Sequence, residues 1–367
     1  MRLKSISIEN FRNHRHLEFE PGQHITNIFG CNGSGKTTIL EAIHYCALTK
    51  GFSGNSDKDC LMFGEEMFTI RSSFESDQGS NTRVVVSYAS PREKRIMVND
   101  QELPTFSKHI GLIPCVTFTP GELVIITGGP AERRRFMDTA ICQYDRKYLS
   151  DLMQYRRVLQ QRNALLSSFN DHSTTETSME VLTEQLITHA VEIVMARERF
   201  ISSFSMMLNE AYRWQPEGTV SEITYQSSLH HGEKQLSKEQ MQAIFREKYR
   251  AIKKQEMLRR QTGAGPHRDD LQFYLNGREI RKYASQGQQR AFLVAMKMTM
   301  HTYLYEKAEE MPISLLDDLF SELDEKVSSN MLESLSSKGQ VIITSTEERD
   351  GKGITPFSIN KYREKTG

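Results

Sequence analysis

Gly30-Cys31-Asn32-Gly33-Ser34-Gly35-Lys36-Thr37 has the spacing G-x-x-x-x-G-K-[ST], the chemistry of a polyphosphate cradle. Glycines at these positions let successive backbone N–H groups curl around a β-phosphate, and a helix starting there adds the positive end of its dipole. Lys36 would reach the β- and γ-oxygens and act catalytically, the Thr37 hydroxyl would ligate Mg2+, and Thr38 completes the nucleotide-binding stretch. The rival reading is a glycine-rich turn that merely caps a helix. It is disfavoured because an apolar run at 25–29 precedes the loop and a helical pattern at 38–48 follows it.

Hydrolysis of a bound triphosphate also needs a metal-positioning acid and a group that orients water, both at the end of a core strand. Ile313-Ser314-Leu315-Leu316-Asp317-Asp318 supplies that pattern: Asp317 would hold Mg2+ opposite Thr37, and Asp318 would polarise the attacking water. Adjacent carboxylates repel, which suits a base but equally suits a helix N-cap. A third stretch, Ser285-Gln286-Gly287-Gln288-Gln289-Arg290, precedes a helical run upstream of Asp317, and Glu322-Leu323-Asp324 follows the acids. Taken alone, Ser285 reads as an ordinary helix cap.

The elements that must hold these groups are mixed. Residues 4–11, 17–19 and 25–29 read as strands, and 68–74, 83–88 and 95–98 as an antiparallel meander turning at Asn99-Asp100. From 131 the apolar period becomes helical (Tyr148, Leu149, Leu152, Tyr155, Leu159, then Leu186, Ala190, Val194, Ile201, Phe204), with a Ser/Thr-rich break at 167–178. Residues 237–260 form a further basic helix, and after Gly263-Ala264-Gly265-Pro266 the α/β character returns, with a buried-type strand at 340–344 and a helix at 325–335. The expected organisation is a first ATPase part at 1–130, a helical insertion at 131–262 and a second ATPase part at 263–367.

The chain has 367 residues and zero formal net charge, but the charge is segregated. Residues 130–165 carry eight basic side chains against four acids and residues 245–260 seven against two, whereas 303–335 hold nine acids against two lysines. This division suits a polyanion on one face, although solvated helix faces would give the same counts. No apolar run approaches a membrane span, and no export signal opens the chain, so a cytoplasmic protein is expected. Five cysteines without a C-x-x-C read as reduced thiols.

The order of phosphate loop, Ser285–Arg290, the Asp317-Asp318 strand and Asp324 resembles the ATP-binding-cassette class: Walker A, signature, Walker B and D-loop. Within that class the chain resembles the RecF family of DNA repair and recombination ATPases. The likeness lies in Ile8-Glu9-Asn10-Phe11-Arg12-Asn13, the phosphate loop, 129–138, Gly265-Pro266-His267-Arg268-Asp269-Asp270-Leu271, the signature and 315–324. It implies an α/β head, a RecA-like P-loop lobe with an antiparallel sheet, plus an inserted helical lobe carrying the signature side. It further implies ATP-dependent homodimers in which Ser285, Gly287 and Gln288 of one copy touch the γ-phosphate held by the other, with slow, DNA-stimulated hydrolysis. Arg12 would lie near the nucleotide. RecO and RecR would be partners in loading RecA at gapped DNA, in the cytoplasm at the nucleoid.

Departures from the pattern are visible. Ser345-Thr346 stands where transport-type cassettes carry a switch histidine, Phe118-Thr119-Pro120-Gly121-Glu122 has no Q-loop glutamine, and Lys50-Gly51-Phe52-Ser53 lacks an arginine associated with the family. DNA contacts are expected from Arg133, Arg134, Arg135, Lys253 and Lys254. A transporter ATPase subunit would need the LSGGQ form and the switch histidine, and an SMC-type protein would need a far longer helical insertion. A structural module with a vestigial site would be indifferent to loss of Lys36. His267, Asp269 and Asp270 read as a charged turn before a strand rather than a metal cluster.

Overall fold

The computed structural model describes residues 1–52, 56–91, 93–168, 173–212, 219–228, 236–318, 331–335, 338–349, 351 and 353–360. The chain divides into two compact units, Met1–Leu123 with Ser285–Gly367, and Val124–Ala284.

The first unit opens with β1 (Arg2–Phe11), β2 (His14–Phe19), β3 (Ile25–Phe29) and α1 (Lys36–Leu48). The meander follows as β4 (Met67–Glu75), β5 (Asn81–Ala89), β6 (Glu93–Val98) and β7 (Gln101–Glu102), then β8 (Cys115–Phe118). Strands β2-β1-β4-β5-β6-β7 make one antiparallel sheet. Asn99 and Asp100 turn β6 into β7 with φ of 49° and 65°, the left-handed geometry of a tight hairpin. In β1, a register shift between Leu3 and Ser5 puts both Leu3 and Ile6 on the buried side, which strict alternation would forbid.

The second unit runs through α2 (Val124–Thr127), α3 (Pro130–Cys142), α4 (Arg146–Ser167), α5 (Ser173–Ala211), β9 (Ser221–Gln226), α6 (Lys238–Arg259), β10 (Asp270–Leu275), β11 (Arg278–Glu279) and α7 (Ile280–Tyr283). Residues 263–284, expected in the ATPase portion, belong here because β10 pairs with β9 along its whole length, from Asp270↔Gln226 to Leu275↔Ser221.

The chain re-enters the first unit with α8 (Gln286–Ala308), β12 (Ile313–Leu316), β13 (Val341–Ser345) and β14 (Ile354–Ser358). The signature residues therefore start a helix of the first unit, not of the second, helical one. Of the helix expected at 325–335, only 331–335 is among the described residues, and these are helical. A parallel sheet in the order β14-β3-β13-β12-β8 brings strands from both ends of the sequence together. Strands β8, β12 and β13 are buried throughout, as expected where both faces of a parallel sheet are covered. Helix α1 is buried nearly all round, and its Ile39, Leu40, Ile43 and Tyr45 share one core with residues of both sheets. All five cysteines are free thiols.

Candidate nucleotide site

The 30–37 loop leaves β3 and enters α1. Gly30, Gly33 and Gly35 have φ of 151°, 75° and 94°, backbone that L side chains rarely adopt. At Gly35 the constraint is double, because a Cβ would lie 2.5 Å from His14 Nε2, whose ring nitrogen donates to Gly35 O at 3.0 Å. Asn13 Oδ1 accepts from Thr38 Oγ1 at 2.9 Å, so the β1–β2 turn holds the start of α1 from outside. Sequence reasoning assigned neither residue to the site: Asn13 entered only as the end of the 8–13 likeness, and His14 not at all.

Several observations fit a bound polyphosphate. Helix α1 has no side-chain cap at its N-terminus, which leaves its first N–H groups for an anion. Among the described residues the buried Ser34 Oγ has no hydrogen-bond partner, and a Cβ at Gly33 would meet none of them within 4 Å. The Lys36 ammonium donates to the carbonyls of Gly30 (2.7 Å) and Cys31 (2.9 Å), folded back across the loop.

At the end of β12, Asp317 Oδ1 accepts from Thr37 Oγ1 at 2.8 Å, which joins the two residues read as metal ligands. An all-oxygen pair of hydroxyl and carboxylate suits Mg2+. The Thr344 hydroxyl on β13 also donates to Asp317 Oδ1 at 2.8 Å and accepts the Asp318 N–H at 2.9 Å. Burial raises the Asp317 carboxyl above the usual carboxylate range, with Asp318 adding to it, while hydrogen bonds from Thr37 and Thr344 and the charge of Lys36 pull it down. Asp318 sits at φ 42°, an uncommon conformation for a non-glycine residue that fits a constrained site. At the end of β13, Ser345 Oγ donates to Asn27 Oδ1 at 2.8 Å, and Thr346 just after it is exposed.

Ser285 caps α8 in a capping box: its Oγ accepts Gln288 N–H at 3.2 Å, and Gln288 Oε1 accepts Ser285 N–H at 2.9 Å. Ser285, Gly287 and Gln288 are all exposed at this helix tip. Asp324 lies outside the described residues. Arg12, expected near the nucleotide, directs its guanidinium at buried Glu41 of α1: Nε lies 2.7 Å from Oε2 and Nη2 donates to Oε1 at 2.8 Å.

The basic residues of the second unit separate sharply. Arg133 is not a surface cation: it is buried, bidentate to Asp270 at 2.7 and 2.9 Å, and donates to Gly128 O at 2.8 Å. Arg134 is half-buried and donates to Asp269 O at 2.7 Å, whereas Arg135 is exposed with Glu132 at 4.0 Å. Lys253 pairs with Glu176. Lys254 is exposed, as are Lys248, Arg250, Arg259 and Arg260, and these five have no carboxylate partner among the described residues. Their helix is pinned by the buried Arg162–Glu256 pair at 2.6 Å, with Thr262 accepting from Arg162 at 2.8 Å. Among the described residues no group of three or more His, Cys, Asp and Glu side chains could hold a metal ion. No helix among them is long and apolar enough to cross a membrane.

A family model described as an AAA domain matches residues 5–350. The chain is 68% identical over 363 residues, 99% of both chains, to the DNA replication and repair protein RecF of Chlorobaculum tepidum, and 47% identical over 359 residues to that of Chlorobium limicola, covering 98% of this chain and 99% of the other. It superposes on a solved structure of the recombination mediator protein RecF with ATP, of the RecFOR pathway. The TM-score is 0.91 at 28% identity, covering 97% of this chain and 95% of that one. An Smc head domain from Pyrococcus furiosus shares the fold at TM-score 0.54 and 15% identity, over 99% of this chain and 98% of that one.

Proposed function

Since the chain belongs to the RecF family of DNA replication and repair proteins, we propose that it is an ATP-gated DNA clamp whose two copies close on each other around bound nucleotide. The observation that carries this reading is the Thr37–Asp317 contact at 2.8 Å beside an uncapped helix N-terminus and the buried, unpartnered Ser34 hydroxyl. Gly30 to Thr38 would cradle the phosphates, Lys36 would swing from its carbonyl partners to the β/γ oxygens, and Thr37 and Asp317 would hold Mg2+. Asp318 would orient and polarise the attacking water. ATP with Mg2+ supplies the phosphoryl group and the charge that the cradle neutralises.

Ser285, Gly287 and Gln288 would seal the partner copy's γ-phosphate, the exposed N-terminus of α8 offering N–H groups to an anion. Asp324 would contribute as the D-loop. Hydrolysis is weak and DNA-stimulated in this reading, so that ATP acts chiefly as glue. DNA would lie against the free cations of α6, with Lys254 central and Arg135 contributing, and without base reading. RecO and RecR are the proposed partners and RecA loading at single-strand/duplex junctions the task. The RecFOR pathway of the similar solved RecF proteins supports the choice of partners. A cytoplasmic, nucleoid-associated location follows from that task.

The test is mass in solution with and without ATP and Mg2+ for wild type, Lys36→Ala and Ser285→Ala. Wild type is expected to pair and both variants to stay monomeric; a Ser285→Ala protein that pairs normally refutes the trans role.

A further inference from the structure

The peptide group joining Phe118 to Thr119, at the end of β8, is bonded on both sides. Its carbonyl accepts Asp317 N–H at 2.8 Å, and its N–H donates to Glu122 Oε2 at 3.0 Å. Glu122 Oε1 accepts from Thr117 Oγ1 at 3.0 Å and from the ammonium of Lys297. The Lys297 side chain is only 7% exposed and belongs to α8, the helix that Ser285 caps. With Thr37 bonded to Asp317, an unbroken polar chain runs from the phosphate cradle through Asp317, one peptide plane and Glu122 to the signature helix. Every link lies within the first unit. Glu122 stands in the segment where a coupling glutamine was missing from the sequence.

We propose that Glu122 and Lys297 are positioning residues that tie occupancy of the phosphate site to the orientation of the Ser285 helix, taking the part left open by the absent glutamine. This rests on the two-head reading above. A peptide dipole held between two hydrogen bonds transmits a shift at one end to the other, because bonds in series polarise one another at low dielectric. The shielded ion pair is costly to break, since parting the two groups leaves each charge buried and uncompensated. A local brace without coupling would affect stability alone.

The test uses the full chain and the single variants Lys297→Met and Glu122→Gln, the double variant, and Lys297→Arg, which keeps the charge. Two quantities are read: affinity of the monomer for a fluorescent ATP analogue with Mg2+ at low protein concentration, and the dimer dissociation constant by sedimentation in ATP. Monomer affinity should stay within about twofold while either single variant weakens pairing by about tenfold, the double variant no further than a single one, and Lys297→Arg restores pairing. Equal effects on both quantities, additive losses, or normal pairing by well-folded Lys297→Met each overturn the coupling. Ser285→Ala in the same series separates the two ideas. If it pairs like wild type, the two-head reading itself has failed; if it alone fails to pair, only the coupling is lost.

Discussion

Thr344 donates its hydroxyl proton to the oxygen of Asp317 that also accepts from Thr37, and the same hydroxyl receives the Asp318 N–H. One side chain on β13 thus fixes both acidic residues at the end of β12. The register of the parallel sheet, with Leu316 opposite Ile343, makes this possible.

Thr344→Val should therefore act on both carboxylates without touching nucleotide. It strands the Asp318 N–H and removes a donor from Asp317, a cost of about 1–3 kcal/mol. Hydrolysis should fall about tenfold or more, with ATP affinity in the absence of Mg2+ little changed. Steady-state ATPase assays and nucleotide titrations with and without Mg2+ check this.

Gly35→Ala is expected to abolish nucleotide binding. It combines φ of 94° with a Cβ 2.5 Å from His14 Nε2, so relieving the clash with His14→Ala should recover stability only in part. Thermal melts of the two single variants and the double variant decide it.

Charge reversal at Arg250 and Lys254, one turn apart on α6, should weaken DNA binding and reduce the slope of log affinity against log salt by about two. Arg133→Ala should instead lower stability by about 3 kcal/mol through the orphaned Asp270, as read by denaturant unfolding.

Acid should destabilise each unit through an imidazole withdrawn from water, fully buried at His301 and partly buried at His267. Burial lowers His301 and His267 from 6.5 to about 4, so the folded chain holds both neutral. Their contribution is complete above pH 6.5 and is lost as pH falls from 6.5 towards 4, by at most about 3 kcal/mol each. Unfolding at pH 7.5 and pH 4.5 should show the drop, and His301→Gln should shrink it in the first unit.

The cradle and Asp317 were legible in the sequence because their chemistry is written in consecutive residues flanked by a strand and a helix. The mixed α/β character followed from the alternation of periods, whereas the two-lobed ATPase head was implied by the family resemblance. What the sequence hid depends on register between distant segments. Arg133 looks like part of a solvated basic run until Asp270 is brought to it by β10. Glu122 stands in a segment marked only by its missing glutamine until Lys297 reaches it from α8. The lobe boundary at 262 followed the loss of helical period, but β10 pairs with β9 and carries 263–284 along. His14 gave no signal, since its partner is a backbone carbonyl.

Strand β3, which delivers the phosphate loop, is flanked by β13 on one edge and β14 on the other, and both come from the far end of the chain. A ribosome that has released the first 340 residues has therefore produced a cradle whose supporting strand lacks a neighbour on either side, while every strand and helix of the second unit is already outside. Synthesis order thus separates the two units in time: the described strands and helices of the helical unit all emerge before β13 and β14 can flank the strand that carries the cradle.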